Sequence, residues 1–264
     1  MLDTANLKTS RRNFIAGTST LGLALMGPLK SKVAKAQDLP GCDPSGQTPQ
    51  KCECFLEGTR IATPKNEVEI EKLRIGDLVM SASGEPKPIK WIGRIRFTRA
   101  LGQTWSPDVA PVKIARFALD DNTPHADLYL TGGHALYLYG LLIPAKDLIN
   151  DRSITGNHHA TALTLNYYHI ELEEHDAIFA EGAPAETYAG KDREAFGNAE
   201  EYERLYGAPA AIERSFAPMA SLNGGRQELV SRLRSVVSPI YDARMPLDII
   251  RDHIASRAEL KIAA

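Results

Sequence analysis

The feature of the sequence that most limits its fold is a close succession of short alternating apolar segments between residues 54 and 187. In residues 89–97, apolar side chains alternate with lysines and arginines, as in a strand with one buried face. Similar short patterns occur at 112–114, 136–143 and 163–167, and turn-forming sequences such as Ser83-Gly84-Glu85-Pro86 separate them. Many short strands at close spacing predict a compact, mainly β domain.

One of these patterns changes phase along its length. The alternation of apolar residues at 163, 165 and 167 resumes at 170 and 172, one residue out of step. A strand that keeps one face buried needs an extra residue to absorb such a step. The sequence therefore predicts a bulge or bend near Tyr168-His169.

The character of the sequence changes after about residue 187, where helical signals replace the strand patterns. Asn198 with Glu201 resembles a capping arrangement before a short helix that ends at Gly207. Two further stripes have helical spacing, Leu229, Leu233, Val236 and Val237 before Ser238-Pro239, and Ile249, Ile250, His253 and Ile254 after Pro246. Residues 188–264 are therefore predicted to form a helical C-terminal extension that packs on the β domain or on a partner.

The first 36 residues have the pattern of an export signal. Arg11 and Arg12 form a twin-arginine motif, an apolar run follows to Leu29, and Ala34-Lys35-Ala36 is a small-x-small cleavage site. The apolar run is too short and too rich in glycine for a membrane span. The segment predicts a twin-arginine signal peptide at 1–36, with a periplasmic or secreted mature protein. The alternative is a cytoplasmic chain with a disordered leader.

Removal of this leader makes the chain more acidic. The leader carries six Lys or Arg residues and one Asp, so the net charge changes from −2 to −7. An acidic chain repels phosphate backbones and anionic lipid headgroups. Nucleic-acid binding is therefore not expected, and no membrane span is expected in the mature chain.

The three cysteines are an odd number for an oxidising compartment. Cys52 and Cys54 are too close in the sequence to pair comfortably in extended backbone. A Cys42–Cys52 disulfide leaves Cys54 as a free thiol, whereas a Cys42–Cys54 disulfide blocks it, and the sequence leaves both pairings open. The usual Cys-x-x-Cys spacing of zinc sites is absent, and no metal or other cofactor is predicted.

Three motifs occur in a fixed order along the predicted β domain. They are Cys54-Phe55-Leu56-Glu57-Gly58-Thr59, the Thr131-Gly132-Gly133-His134 turn after an apolar strand, and the run from Tyr168 to Gly182 that contains His169 and His175. In this order the motifs resemble those of the Hedgehog/intein (Hint) autoprocessing family. The resemblance covers residues 54–187 and implies a horseshoe of curved β-hairpins. Residues 37–53 before it are predicted to form a short polar arm.

The resemblance also implies roles for individual residues. Cys54 is the nucleophile that attacks the carbonyl carbon of Glu53, and His134 gives a proton to the departing amide nitrogen of Cys54. Thr131 orients that group by hydrogen bonding, and His175 assists the second step. His169 is also a candidate catalytic residue, but it stands where many inteins carry an Asp that tunes the cysteine, so its role follows less directly.

The remaining histidines are expected to be solvated loop residues. They are His125, His158, His159 and His253.

Two departures from the family limit the predicted reaction. Residues 182–187 contain no Asn, so the succinimide step of full splicing is not expected. Glu53 also replaces the Gly that precedes the nucleophile in Hedgehog proteins.

The sequence therefore predicts an exported protein that cleaves or activates its own chain at Glu53–Cys54. Its N-terminal segment is the substrate, and water or an outside nucleophile accepts the thioester. The alternative is a catalytically silent, exported β module that binds a partner and holds its cysteines in disulfides.

Overall fold

The structure is a computed structural model and describes residues 53–156, 159, 161–190, 193–207, 215–222, 225–238 and 244–263. The predicted signal peptide, the predicted arm up to residue 52, and Cys42 and Cys52 lie outside these residues. The predicted mainly β fold with a helical C-terminal extension is confirmed.

Fourteen strands and three α-helices occur in the described residues. The strands are β1 (Phe55–Leu56), β2 (Arg60–Ala62), β3 (Glu67–Glu69), β4 (Leu78–Met80), β5 (Pro86–Pro88), β6 (Trp91–Thr98), β7 (Pro111–Ile114), β8 (Leu128–Thr131), β9 (Ala135–Leu138), β10 (Leu141–Pro144), β11 (Ile154–Thr155), β12 (Thr164–Glu171), β13 (Ala177–Ala180) and β14 (Ala183–Glu186). The helices are α1 (Ala199–Tyr206), α2 (Gly225–Val237) and α3 (Pro246–Ala263).

Within the described residues, the strands form two large antiparallel sheets and one small one. The first has the order β11-β7-β8-β1-β12-β6, the second has the order β10-β9-β14-β13-β2-β3, and β4 pairs with β5. Sequence neighbours such as β1 and β2 lie in different sheets, so the chain crosses between the sheets repeatedly. The Thr131–His134 turn is one of these crossings, since β8 and β9 also belong to different sheets.

The two-residue strand β1 lies at the centre of the first sheet. Phe55 pairs with Leu130 of β8 on one side and with Tyr168 of β12 on the other. Both neighbouring strands are more than 70 residues away in sequence. The start of the β domain is therefore clamped between its two later motifs.

The predicted bulge at Tyr168-His169 is wrong. Strand β12 pairs with β6 in an unbroken register of eight residues, from Thr164 opposite Thr98 to Glu171 opposite Trp91. The apolar pattern changes phase because both faces of β12 are buried from His169 onward. The face that carries Leu165 and Tyr167 continues with the buried polar residues His169 and Glu171, whereas Ile170 is buried on the opposite face, so no bulge is needed.

Helix α1 follows the sequence prediction. Asn198 is its N-cap residue and binds the Glu201 carboxylate through its side-chain amide at 2.7 Å. Gly207 ends the helix with a φ of +76°, in the region that favours glycine. Helices are therefore placed after the β domain, as the capping signals indicate.

The buried face of α3 differs from the predicted stripe. Ile250 and Ile254 are buried as expected, together with Leu247 and Ala258, but Ile249 is exposed. On α2 the predicted apolar stripe is exposed, with Leu233 54% and Val236 76% accessible. In the described part of the chain, no helix combines the length and the apolar character that a membrane crossing requires.

Candidate functional site

The backbone of Cys54 is held by Thr131, which lies 77 residues further along the chain. The Cys54 N–H donates a hydrogen bond of 2.9 Å to Thr131 Oγ1, and the Thr131 N–H donates one of 2.9 Å to the Cys54 carbonyl. Thr131 is the last residue of β8 and is fully buried. The amide nitrogen of the Glu53–Cys54 peptide bond therefore has a fixed hydroxyl partner.

The thiol of Cys54 is free and only 2% exposed. Burial, with a contribution from the charge of Glu53, raises the pKa of the Cys54 thiol. Burial also raises the pKa of the nearby Tyr167 phenol, whose hydroxyl donates a 2.6 Å hydrogen bond to the Val109 carbonyl. Cys54 is therefore a protonated thiol at neutral pH.

His134 lies at the turn that leads from β8 into β9. Its backbone N–H donates to the Thr131 carbonyl at 3.1 Å, and its ring packs on Phe55 with a centroid distance of 4.2 Å. Neither ring nitrogen has a hydrogen-bond partner among the described residues. Burial lowers the pKa of His134 to about 4, although the Glu186 carboxylate partly offsets this effect. The imidazole is therefore neutral at pH 7 and can both accept and donate a proton.

His169 lies beside His134, with 4.8 Å between the ring centroids. It is completely buried, and burial together with the charges of the neighbouring histidines lowers its pKa well below the usual value. The pairing of Phe55 with Tyr168, continued by one residue, places His169 opposite Cys54 across β1 and β12. His169 therefore belongs to the same buried cluster as the other predicted site residues.

Glu186, at the end of β14, joins this cluster and was not predicted from the sequence. Its Oε1 accepts a 2.7 Å hydrogen bond from the Ala135 N–H, directly after His134. Its Oε2 lies 3.8 Å from Nε2 of His175. The sequence signal for Glu186 is a single acidic residue at the end of a short apolar segment, which by itself fits an exposed strand end equally well.

His175 lies between β12 and β13 and approaches the cluster from the other side. Its Nδ1 accepts a 3.3 Å hydrogen bond from the Phe216 N–H, and its ring packs on Phe216 at 5.4 Å. The side chain is buried. The residues at 215–222 therefore cover this side of the site.

The structure thus brings most of the predicted site residues together. Cys54 and Thr131 are joined by two hydrogen bonds, one of them to the Thr131 hydroxyl, and Glu186 links the segment of His134 to His175. The arrangement has a thiol, an amide nitrogen held by a hydroxyl, and neutral imidazoles in a desolvated core. These are the groups that acyl transfer from nitrogen to sulfur requires. Cys42 and Cys52, whose disulfide pairing the sequence leaves open, lie outside the described residues.

Of the remaining histidines, His159 is exposed in a turn as predicted, whereas His125 is less exposed than predicted and His253 lies on a helix. His125 is half-buried, and its Nε2 lies 2.6 Å from Glu67 Oε1. The ring of His159 packs on Tyr129 at a centroid distance of 4.9 Å. His253 is exposed on α3, and His158 lies outside the described residues.

Comparison with known proteins identifies the pattern of the β domain. A family model described as "Hint domain" matches residues 53–192, which is more than half of the 264-residue chain. The comparison with curated proteins gives no match.

Solved structures of inteins and of an intein-like domain also match. A crystal structure of the MchDnaB-1 intein has 10% sequence identity and a TM-score of 0.35, and the match covers 51% of this chain and 99% of that one. A crystal structure of the gp41-1 intein has 14% identity and a TM-score of 0.31, covering 50% and 97%. The solution structure of a bacterial intein-like domain from Clostridium thermocellum has 12% identity and a TM-score of 0.30, covering 52% and 99%.

Proposed function

The chain belongs to the Hint-domain family, and on this premise we propose that it activates its own peptide bond between Glu53 and Cys54. The reaction is an N–S acyl shift that converts this amide into a thioester. The shift releases the amino group of Cys54 and leaves Glu53 attached to the cysteine sulfur. Water or an outside nucleophile then takes up the acyl group and frees the N-terminal segment.

The observation that carries this proposal is the hydrogen bond from the Cys54 N–H to Thr131 Oγ1. The nitrogen that leaves the carbonyl carbon in an N–S shift is this one. A buried hydroxyl that holds it fixes the orientation of the amide relative to the thiol of the same residue. Positioning of this kind accounts for a large part of many enzymatic rate accelerations.

The proton balance of the shift fits the protonation states in the cluster. The thiol proton of Cys54 passes to the neutral His134 imidazole as the sulfur attacks the Glu53 carbonyl carbon. The carbon–nitrogen bond then breaks, and the imidazolium returns the proton to the amide nitrogen. Because burial lowers the pKa of His134 to about 4, its imidazolium is a strong acid and gives up this proton readily.

The second step is hydrolysis or transfer, and full splicing is not proposed. Splicing in inteins needs an Asn at the end of the domain, whereas β14 ends at Glu186 and Thr187 follows. His175 accepts a hydrogen bond from the Phe216 amide and lies 3.8 Å from Glu186, and we expect it to assist release of the thioester. The family resemblance assigns it the same step.

The experiment uses the protein from residue 37 onward, incubated with hydroxylamine or a small thiol. Mass spectrometry is expected to find a fragment that begins at Cys54, together with an N-terminal fragment that ends in a Glu53 hydroxamate or thioester. An ordinary amide resists both reagents, whereas a thioester reacts with them. The Cys54→Ala variant should stay intact. An intact wild-type chain after prolonged incubation with reductant and nucleophile would contradict the proposal.

A catalytically silent binding module is the second candidate function. It is favoured by the burial of the Cys54 thiol, which raises its pKa and weakens the nucleophile. The same incubation separates the two candidates, because a silent module gives no fragment beginning at Cys54 under any nucleophile.

The proposal includes export through the twin-arginine route, carried by Arg11 and Arg12. Replacement of both arginines by lysine should leave the precursor inside the cell, and unchanged export would contradict this route. It also includes a Cys42–Cys52 disulfide, which keeps Cys54 reduced. Because Cys54 is buried, thiol labelling has to be done after unfolding without reductant, and label on Cys42 or Cys52 would contradict the pairing.

A further inference from the structure

We propose that Glu67, His125 and Glu181 form a binding site for a divalent transition-metal ion of the Zn²⁺ type. Three segments that are distant in sequence meet at this site. They are strand β3, the segment before β8, and the turn between β13 and β14. The site is separate from the Cys54 cluster and does not depend on the proposed autoprocessing.

The three side chains already converge. His125 Nε2 lies 2.6 Å from Glu67 Oε1, and His125 Nδ1 lies 3.9 Å from Glu181 Oε2. One ligand atom from each residue can be chosen so that all three lie within 4.8 Å of one another. A tetrahedral zinc ion with bonds of about 2.1 Å needs its ligand atoms about 3.4 Å apart, so side-chain shifts of about 1 Å complete the geometry.

Glu181 supplies the independent indication of a ligand. The residue is only 5% exposed, and its Oε1 accepts a 2.8 Å hydrogen bond from the Arg60 N–H. Its Oε2 is buried, faces His125, and has no hydrogen-bond partner among the described residues. A buried carboxylate oxygen without a hydrogen bond is costly, and a bound cation removes that cost.

The charge around the site favours a dication as well. Two carboxylates that converge on one imidazole repel each other unless a positive charge lies between them. A dication bound by both glutamates and by neutral His125 supplies that charge.

The backbone around the site is built to bring His125 and Glu181 together. The His125 N–H donates to the Glu181 carbonyl at 2.9 Å, and the Glu181 N–H donates to the Arg60 carbonyl at 2.8 Å. Gly182 follows with a φ of +80°, and a Cβ at this position would lie 3.0 Å from the His125 ring. Only glycine therefore combines this conformation with the close approach of the imidazole.

The ligand set selects the class of metal. An imidazole nitrogen favours Zn²⁺ and neighbouring transition metals, whereas Mg²⁺ and Ca²⁺ prefer sites made of oxygen alone. Three protein ligands leave one coordination position for water. The site also lies at the opposite end of β14 from Glu186, and β14 itself spans about 10 Å at the usual rise per strand residue. We therefore expect the ion to stabilise the sheet and to take no part in the chemistry of the Cys54 cluster.

The experiment is a calorimetric titration of Zn²⁺ into the Cys54→Ala protein, which removes the buried thiol as a competing ligand. One ion per chain is expected to bind, and the melting temperature should rise by about 5–10 °C when free zinc is a hundredfold above Kd. Co²⁺ at the same site should give visible absorption bands with the intensity of a four-coordinate ion. Ca²⁺ and Mg²⁺ at matched concentrations should change neither signal.

Isosteric variants identify the ligands. Glu181→Gln and Glu67→Gln should each weaken zinc binding at least tenfold, while Glu69→Gln on the same strand should leave it unchanged. His125→Gln should abolish the Co²⁺ spectrum. Absence of zinc binding to the Cys54→Ala protein would overturn the proposal. Retention of full affinity in Glu181→Gln, or tighter binding of Ca²⁺ than of Zn²⁺, would also overturn it.

Discussion

The N–H of Cys54 and Oγ1 of Thr131 are joined by a buried hydrogen bond of 2.9 Å that spans 77 residues of sequence. The bond exists because β1 lies between β8 and β12, so that the first residues of the domain contact the strands that carry its two later motifs. A chain with the same motifs and another strand order would leave this amide without its hydroxyl. The sheet order is therefore what turns three short motifs into one site.

Removal of the Thr131 hydroxyl is expected to slow cleavage at Glu53–Cys54. Thr131→Ala loses one buried hydrogen bond, worth about 0.5–1.5 kcal/mol, so the rate should fall by about 2–10-fold. Thr131→Ser keeps the hydroxyl and should restore most of the rate. The measurement is the appearance of the fragment beginning at Cys54 under hydroxylamine. Equal rates for the Ala and Ser variants would show that the hydroxyl does not position the amide.

Replacement of His134 is expected to have a larger effect. His134→Gln removes the group that carries the proton from sulfur to nitrogen, and loss of a positioned acid or base typically costs about 10²–10⁴-fold. His169→Gln is the matched comparison, because His169 is equally buried and lies 4.8 Å away, but the proposed proton transfer does not use it. Single-turnover cleavage rates should separate the two variants. Equal losses would mean that packing in the cluster, rather than proton transfer at His134, sets the rate.

The sequence predicts the strands of this fold better than it predicts the contacts between them. The alternation over residues 89–97 corresponds to β6, and Asn198 and Gly207 bound α1 as their types indicate. The bulge at Tyr168-His169 is wrong because alternation reports burial of one face, whereas β12 is buried on both faces there. Local pattern carries no information about the second sheet that covers this strand.

The same limit applies to the site. The order of the motifs predicts that Cys54, Thr131 and His134 form one site, because the motifs that contain these residues resemble those of the Hint family. Glu186 has no motif of its own, and its role depends on the pairing of β14 with β9, which places its carboxylate at the Ala135 amide. Such a contact is tertiary, and the residue types around it do not specify it.

Removal of the Glu186 charge is expected to slow the reaction without breaking the fold. Glu186→Gln keeps an oxygen for the Ala135 N–H but removes the carboxylate that raises the pKa of His134 against the effect of burial. The pKa of His134 then falls further, and its imidazolium forms less readily during thiol attack. The cleavage rate is therefore expected to fall, by up to about tenfold for each unit by which the pKa of His134 decreases.

The control for Glu186 is Glu174→Gln, which changes an exposed carboxylate next to His175. It should leave the rate unchanged. The limb of the pH–rate profile that reports His134 should move to lower pH in Glu186→Gln. A purely structural role would instead lower the unfolding free energy and leave the shape of that profile as it is.

Acid should destabilise the protein through His134 and His169. Burial lowers the pKa of His134 to about 4 and that of His169 well below its usual value, so the unfolded chain binds these protons more readily than the folded one. The unfolding free energy therefore loses nothing through these two histidines above about pH 6.5, and it falls as the pH drops toward 4. Each histidine contributes a slope of about 1.4 kcal/mol per pH unit within that window.

Urea unfolding of the Cys54→Ala protein between pH 7.5 and 4.5 measures the total pH dependence of the unfolding free energy. The variant that also carries His134→Gln and His169→Gln should show a slope smaller by about 2.7 kcal/mol per pH unit near pH 5, because all other titrating groups are common to both proteins. Equal slopes in the two proteins would mean that these imidazoles are not held neutral by burial.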